Sequence, residues 1–310
     1  MDPEVRRALD RLHLRTETLP DGSDFRDWRA SIAQTNTVIA EEFPRVQSLS
    51  VEEHPDIGIR LFRPSGPNAD RVIVYVHGGG FIGGSVDQSA YRCRWMAAKI
   101  GVSIAAVPYR RAPEWSFPAA HDDVVNVISR IWEARANLGF SAESLGIWGD
   151  SAGGCIAAGA VLAMGAGRPE IFACAVLSQP ALDDRTAHRP RHIPASALTW
   201  SVEDNARAWN AWLGSASERP SALAAPARKT SFEGMPPVYL DVGTLDLFRE
   251  EVEDFATRMR ADGVHVECRV WPDVPHAFDV IAPRSRVGRE AWIAKIEFTR
   301  RYLGVQSSNR

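Results

Sequence analysis

Apolar and polar residues change rhythm several times along this chain. In "RVIVYVH" (71–77) the apolar run is nearly unbroken and β-branched, the pattern of a strand buried on both faces. Ahead of it, "VQSLSVEEH" and "IGIRLFRP" flank the turn "HPD" and predict an antiparallel pair. Residues 1 to about 43 read as one or two helices interrupted by "LPDGSD". After 77 the rhythm switches repeatedly. A helix over about 88–100 leads to the strand "VSIAAVPY", and a helix over about 119–138 leads to "SLGIWG". An alanine-rich helix after Ser151 leads to "FACAVLSQP". This alternation predicts an α/β fold, a mostly parallel central sheet flanked by helices.

The alternation then stops. Residues 184–230 hold prolines and helical pieces but no strand. They read as a helical cap inserted over the carboxyl edge of the sheet, where open α/β sheets bind ligands. The sheet resumes at "PPVYLDVG", followed by a helix near 249–262, the strand "VHVECRVW" and a last helix from about Ser285. The expected organisation is therefore 1–45 as N-terminal helices contributing to the cap, 46–183 as the first part of the core, 184–230 as the cap, and 231–310 as the second part of the core.

Composition narrows the function class. A formal net charge of -3 with no basic cluster leaves no footprint for nucleic acid. The N-terminal "MDPEVRRALDRLHLRTE" is amphipathic and lacks the apolar core of a secretory signal. No window reaches the ~18 apolar residues of a membrane span, so membrane insertion is not expected. The four cysteines, Cys93, Cys155, Cys174 and Cys268, are scattered and form no C-x-x-C pair, which fits reduced thiols in a cytoplasmic protein. The expected partner is a small molecule, and any self-association is expected to be the common one, a homodimer.

Candidate chemistry begins at "GDSAGG" (149–154), between a strand end and a buried helix. Gly149-Asp150-Ser151-Ala152-Gly153 fits G-x-S-x-G, a strand-to-helix turn that thrusts a serine outward as nucleophile. A second motif, "HGGGF" (77–81), places three glycines directly after a buried strand. Glycine costs backbone entropy, so a run of it needs a reason, and close approach of N–H groups to an oxyanion is one. The candidate donors are the N–H groups of Gly79, Gly80 and Ala152. A phosphate loop would want a lysine before Ser or Thr, and "GGFIGGSVDQ" has none. His77 precedes the loop and reads as structural.

In hydrolases of this topology the acid and then the histidine follow the serine. Asp246 in "TLDLF" lies in a loop at a strand's carboxyl end, whereas its competitor Asp241 lies inside the strand pattern. Only His265 and His276 come later. His265 alternates with valines, as a strand residue does; His276, in "WPDVPHAF", falls in a loop at the same edge as Ser151. The expected triad is Ser151, Asp246 and His276, with His276 as general base oriented by Asp246. Such chemistry requires no metal and no cofactor.

These motifs together resemble the hormone-sensitive-lipase-like family of α/β-hydrolase carboxylesterases. "HGGGF", "YRRAPEWSFPAAHDD", "GDSAGG", "DLFRE" and "VPHAF" occur in order over about 72–278. The resemblance implies the α/β-hydrolase fold with a helical cap, the same triad and oxyanion donors, and hydrolysis of short- to medium-chain esters through an acyl-enzyme. It also implies that Tyr109 and Glu114 are scaffold residues. The chain departs from the family in three places. "DLFREEV" stands for D-P-L-x-D-E-G, "HAF" for H-G-F, and Cys155 for the usual Asn after "GDSAGG". Phe81, Trp200, Trp209 and Trp212 are the candidate pocket walls, although tryptophans at i, i+3 also serve as packing. No charged residue stands out for recognition, so a neutral, largely apolar ester is expected. A lactonase or deacylase could use the same triad. A non-catalytic small-ligand receptor on this fold would lack the catalytic histidine.

Overall fold

Asp2 opens the first helix, α1 (Pro3–Arg11), by accepting hydrogen bonds from the N–H groups of Glu4 and Val5 at 2.9 and 3.1 Å. Asp24 does the same for α2 (Phe25–Ala40). The computed structural model describes residues 1–14, 24–141, 145–165, 169–188, 193–194 and 197–305. Most of "LPDGSD" lies outside them.

The antiparallel pair expected around "HPD" forms as β1 (Leu49–His54) and β2 (Ile59–Pro64), with Leu49 opposite Pro64 and His54 opposite Ile59. Then come β3 (Val72–Val76), α3 (Val86–Ile100), β4 (Ser103–Ala106), α4 (Ala119–Ala134), β5 (Leu145–Asp150), α5 (Ala152–Gly165) and β6 (Phe172–Ser178). After the interruption, which carries α6 (Val202–Leu213), follow β7 (Val238–Gly243), α7 (Arg249–Ala261), β8 (Val266–Trp271), α8 (Phe278–Ile281) and α9 (Arg286–Tyr302).

The strands form one eight-stranded sheet in the order β1-β2-β4-β3-β5-β6-β7-β8. The first two strands run antiparallel; β4, β3, β5, β6, β7 and β8 run parallel. The two-residue period of a strand sorts the core onto two faces. Val72, Val74 and Val76 join the apolar cluster under α4, α5 and α7, while Ile73 and Tyr75 join the one under α3 and α9. Helix α5 is buried almost all round, as its alanine and glycine content allows.

Parallel strands end at a common rim. β3 leads there into the glycine loop, β5 into Ser151, β7 into Asp246 and β8 into His276. The 184–230 segment reaches the same rim. Ser201 caps α6, Trp212 Nε1 donates to the Ala224 carbonyl at 2.9 Å, and the Leu223 carbonyl rests on α5 so closely that a Cβ at Gly159 would stand 2.4 Å from it.

Several boundaries differ from the pattern-based reading. α3 starts at Val86 because Ser85 caps it, and α4 ends at Ala134 rather than 138. β8 starts at Val266, so His265 is an exposed residue just before the strand, with its ring 5.7 Å from that of Tyr302. The four-residue α8 has too short a period to register in the sequence.

Candidate active site

Ser151 has φ +53, the left-handed region that a side chain rarely adopts. The surroundings enforce it by close packing. A Cβ on Gly149 would lie 2.3 Å from the Gly153 carbonyl oxygen, and one on Gly153 would lie 2.3 Å from both the His77 and Val76 oxygens. The turn is further pinned by Ser151 N–H donating to the Ser178 carbonyl at 2.8 Å. Asp150 anchors it from below: its carboxylate accepts from Tyr75 Oη (2.6 Å) and Trp148 Nε1 (2.8 Å).

His276 Nε2 is 2.9 Å from Ser151 Oγ, and Nδ1 is 2.8 Å from Asp246 Oδ2. A carboxylate at Nδ1 keeps the proton there, which leaves Nε2 free to accept from the serine hydroxyl. Asp246 is fully buried and its other oxygen accepts from the Phe248 N–H at 3.0 Å. Burial pulls the His276 pKa down, but the charge and hydrogen bond of Asp246 outweigh it, and the net shift is upward. Of the two candidate acids, Asp246 meets His276. Asp241 instead lies 3.0 Å from Lys295 Nζ and accepts from Trp271 Nε1.

The histidine loop is held by groups that sequence reasoning did not single out. Ala277, at φ +59, donates its N–H to Gln179 Oε1, and Gln179 Nε2 donates to Asp279 Oδ1 at 2.7 Å. Asp279 Oδ2 in turn accepts from Lys295 Nζ at 2.6 Å, so one fully buried ammonium joins Asp241 and Asp279. Burial raises the Asp279 carboxyl, but Lys295 beside it prevails and the net shift is downward. Thr199 Oγ1 donates to the His276 carbonyl at 2.6 Å, tying the loop to the 184–230 segment.

The glycine loop stands next to the serine: a Cβ on Gly78 would be 2.9 Å from the Asp150 carbonyl. Gly79 and Gly80 have φ +127 and +59, and none of the described backbone hydrogen bonds uses their N–H groups. Ala152 begins α5, where a helix leaves its first N–H groups without an internal partner. His77 is structural here. It stacks on Tyr109 with centroids 4.2 Å apart, Nδ1 donates to the Gly78 carbonyl, and burial lowers its pKa to about 4. Tyr109 Oη donates to the His77 carbonyl, and Glu114 pairs with Arg29 of α2.

A cavity of about 260 Å³ opens over Ser151, His276 and the glycine loop. Trp28 and Ile32 of α2 and Trp200 of the 184–230 segment line it, and the Trp28 and Trp200 rings stack at 5.6 Å. Of the expected wall residues only Trp200 lines this cavity. Phe81, Trp209 and Trp212 instead pack on one another in the core, Phe81 lying 4.8 Å from Trp212 and 5.1 Å from Trp209. All three belong to the buried apolar cluster beneath the cavity, and the one polar atom of Trp212 is already taken by the Ala224 carbonyl, which explains the correction. Cys155, in the first turn of α5, is buried with its Sγ 3.3 Å from the Ala224 carbonyl. Among the described residues no three His, Cys, Asp or Glu side chains gather in a way that would hold a metal ion, and no helix is long and apolar enough to cross a membrane.

Comparison with known proteins bears on the fold and the family. A family model described as alpha/beta hydrolase fold matches residues 73–280. The ethyl acetate hydrolase of Pseudomonas putida is 27% identical over 274 residues, covering 83% of this chain and 82% of the relative. The solved structure of a bacterial heroin esterase superposes with a TM-score of 0.83 at 29% identity, covering 99% of this chain and 98% of that one. An esterase of the bacterial hormone-sensitive lipase family superposes at 0.81 with 25% identity, covering 98% and 99%.

Proposed function

The chain belongs to the alpha/beta hydrolase fold family, in its hormone-sensitive-lipase-like branch, and on that premise we propose that it is a serine carboxylesterase acting on short- to medium-chain esters. The observation that carries the reading is the continuous Ser151–His276–Asp246 hydrogen-bonded line beside two glycine N–H groups that no backbone bond among the described residues uses. As Ser151 Oγ bonds to the ester carbonyl carbon, His276 Nε2 takes its proton, and Asp246 stabilises the imidazolium. The carbonyl oxygen becomes an oxyanion facing the N–H groups of Gly79, Gly80 and Ala152. Each such donor contributes about 10²–10³ in rate. His276 returns the proton to the departing alkoxide. Water then attacks the acyl-enzyme by the same route and releases the acid.

The cavity, at about 260 Å³, lies just below the roughly 300–1,000 Å³ of sites for drug-sized ligands, which supports short and medium chains. α2 and the 184–230 segment, which supply its upper wall, act as the cap. The relatives named as esterases support the reaction class. The test is Ser151→Ala assayed on p-nitrophenyl butyrate. We expect kcat to fall by about 10⁴-fold or more with the melting temperature preserved. Substantial remaining turnover in the folded variant would rule out Ser151 as the nucleophile.

A further inference from the structure

One side of the cavity is formed by α3, and that side is polar. Ser85, Gln88, Ser89 and Arg92 follow the i, i+3, i+4, i+7 spacing at which a helix usually presents its apolar stripe, and all four line the cavity. The two serines are occupied locally. Ser85 Oγ accepts from the Gln88 N–H at 3.2 Å, and Ser89 Oγ donates to the Ser85 carbonyl at 2.6 Å. The longer side chains are only partly occupied: the Arg92 guanidinium faces Asp150 and lies over the Tyr75 and Tyr91 rings. Arg92 is only 7% exposed, and its Nε has no hydrogen-bond partner among the described residues; the buried Gln88 Oε1 has none either. Buried polar groups left unpaired are unfavourable, so a donor and an acceptor left open four residues apart call for a partner. Their place beside the chemistry is fixed by Asp150, the residue before Ser151, which lies 3.3 Å from the Arg92 guanidinium.

We infer that this arm is a subsite for a neutral group that both accepts and donates a hydrogen bond, a hydroxyl or a carboxamide, carried a few bonds from the ester carbonyl. The inference rests on the esterase reading and gives it a substrate class. Both atoms lie just beneath the cavity wall, so the two side chains turn toward the group as it enters; Arg92 Nε–H then donates to its oxygen, and Gln88 Oε1 accepts its O–H or N–H. An alkyl chain in the same place would leave both unpaired. A carboxylate would meet the acceptor of Gln88 and the carboxylates of Asp150 and Asp279, which line the same cavity. Asp150 already occupies part of the Arg92 charge. The subsite thus replaces the sequence-based expectation of a largely apolar ester with a neutral, hydrogen-bonding one.

The experiment uses esters of matched length ending in methyl, carboxamide or carboxylate, in two series that place the terminal group on the acyl or on the alcohol side. kcat/KM is measured for the wild type, Arg92→Met and Gln88→Leu. In one series the wild type should favour carboxamide over methyl by about tenfold or more, because a site built around hydrogen bonds discriminates against the analogue that lacks them. The carboxylate ester should be the poorest. In both variants the carboxamide-to-methyl ratio should fall to near unity. Should Arg92→Met fail to fold, Gln88→Leu, at a half-buried helix position, carries the comparison. A wild type that prefers methyl in both series or prefers carboxylate, or folded variants with an unchanged ratio, would overturn the subsite and leave the esterase reading standing. Absence of turnover on every ester would overturn the esterase reading itself, and the subsite with it.

Discussion

The serine and the histidine are brought to the same rim by opposite means. On the serine side the chain removes atoms. Gly149, Gly153 and Gly78 stand where any Cβ would strike backbone, and steric closeness alone leaves the turn no other course. On the histidine side the chain adds charges. Lys295 joins Asp241 and Asp279, and Gln179 passes that anchorage to the backbone of Ala277. The first device is local and short-ranged. The second joins β6, β7, α8 and α9, and its strength depends on the dryness of the interior. One reactive centre can therefore be lost through volume on one flank and through charge on the other.

The comparison can be broken most forcefully at its charged half. Lys295→Met leaves two carboxylates buried together without their cation, and removing one partner of a buried ionic cluster costs about 3–5 kcal/mol. Chemical denaturation should show that loss; a change under about 1 kcal/mol, the scale of a surface pair, would mean the cluster does not anchor the loop. Gly153→Ala probes the packed half. Overpacking of this kind costs about 1–3 kcal/mol, and kcat should drop as well because the glycine loop and the elbow must move apart. Unchanged stability and kcat would refute steric positioning.

The smallest effect sharpens the comparison through pH. In the proposed mechanism His276 must be neutral to act as base, and Asp246 raises its pKa. The acid limb of kcat/KM should therefore lie above the free imidazole value of about 6.5. Because the folded pKa exceeds the unfolded one, the stabilisation from the His276–Asp246 pair is complete below that unfolded value. It fades as pH rises through the folded one. Activity should thus rise over the window in which this increment of stability is lost. An NMR titration of His276 beside a pH–rate profile checks both; a limb below the free value would contradict the geometry.

How much was legible in the sequence follows from the same contrast. The individual strands and the elbow rest on short-range rules, a two-residue strand period and glycines at tight approaches, and these leave traces within a few residues; the order of the strands in the sheet does not. Asp246 and His276 were legible because chain order and loop position suffice to choose them over Asp241 and His265. The clamp behind the histidine was not. In "AWIAKIEF" Lys295 reads as a surface charge, although its spacing from Trp292 and Phe298 puts it on an apolar face; its partners lie in distant strands and loops. Arg92 was hidden in the same way. Phe81, Trp209 and Trp212 read from sequence as wall or packing alike, because an aromatic ring suits a pocket and a core equally well.

Gly80 and Trp200 carry one last consequence. A Cβ on Gly80 would stand 2.5 Å from the Trp200 ring, so this indole is cut to the height of the glycine loop. Segments far apart in the chain are thereby dimensioned as a single fitted joint. Grafting a foreign segment that lacks an aromatic ring at this place would open a gap above the proposed donors and, in the proposed mechanism, let water reach the developing negative charge. Swaps of that region between relatives must carry both halves of the joint together.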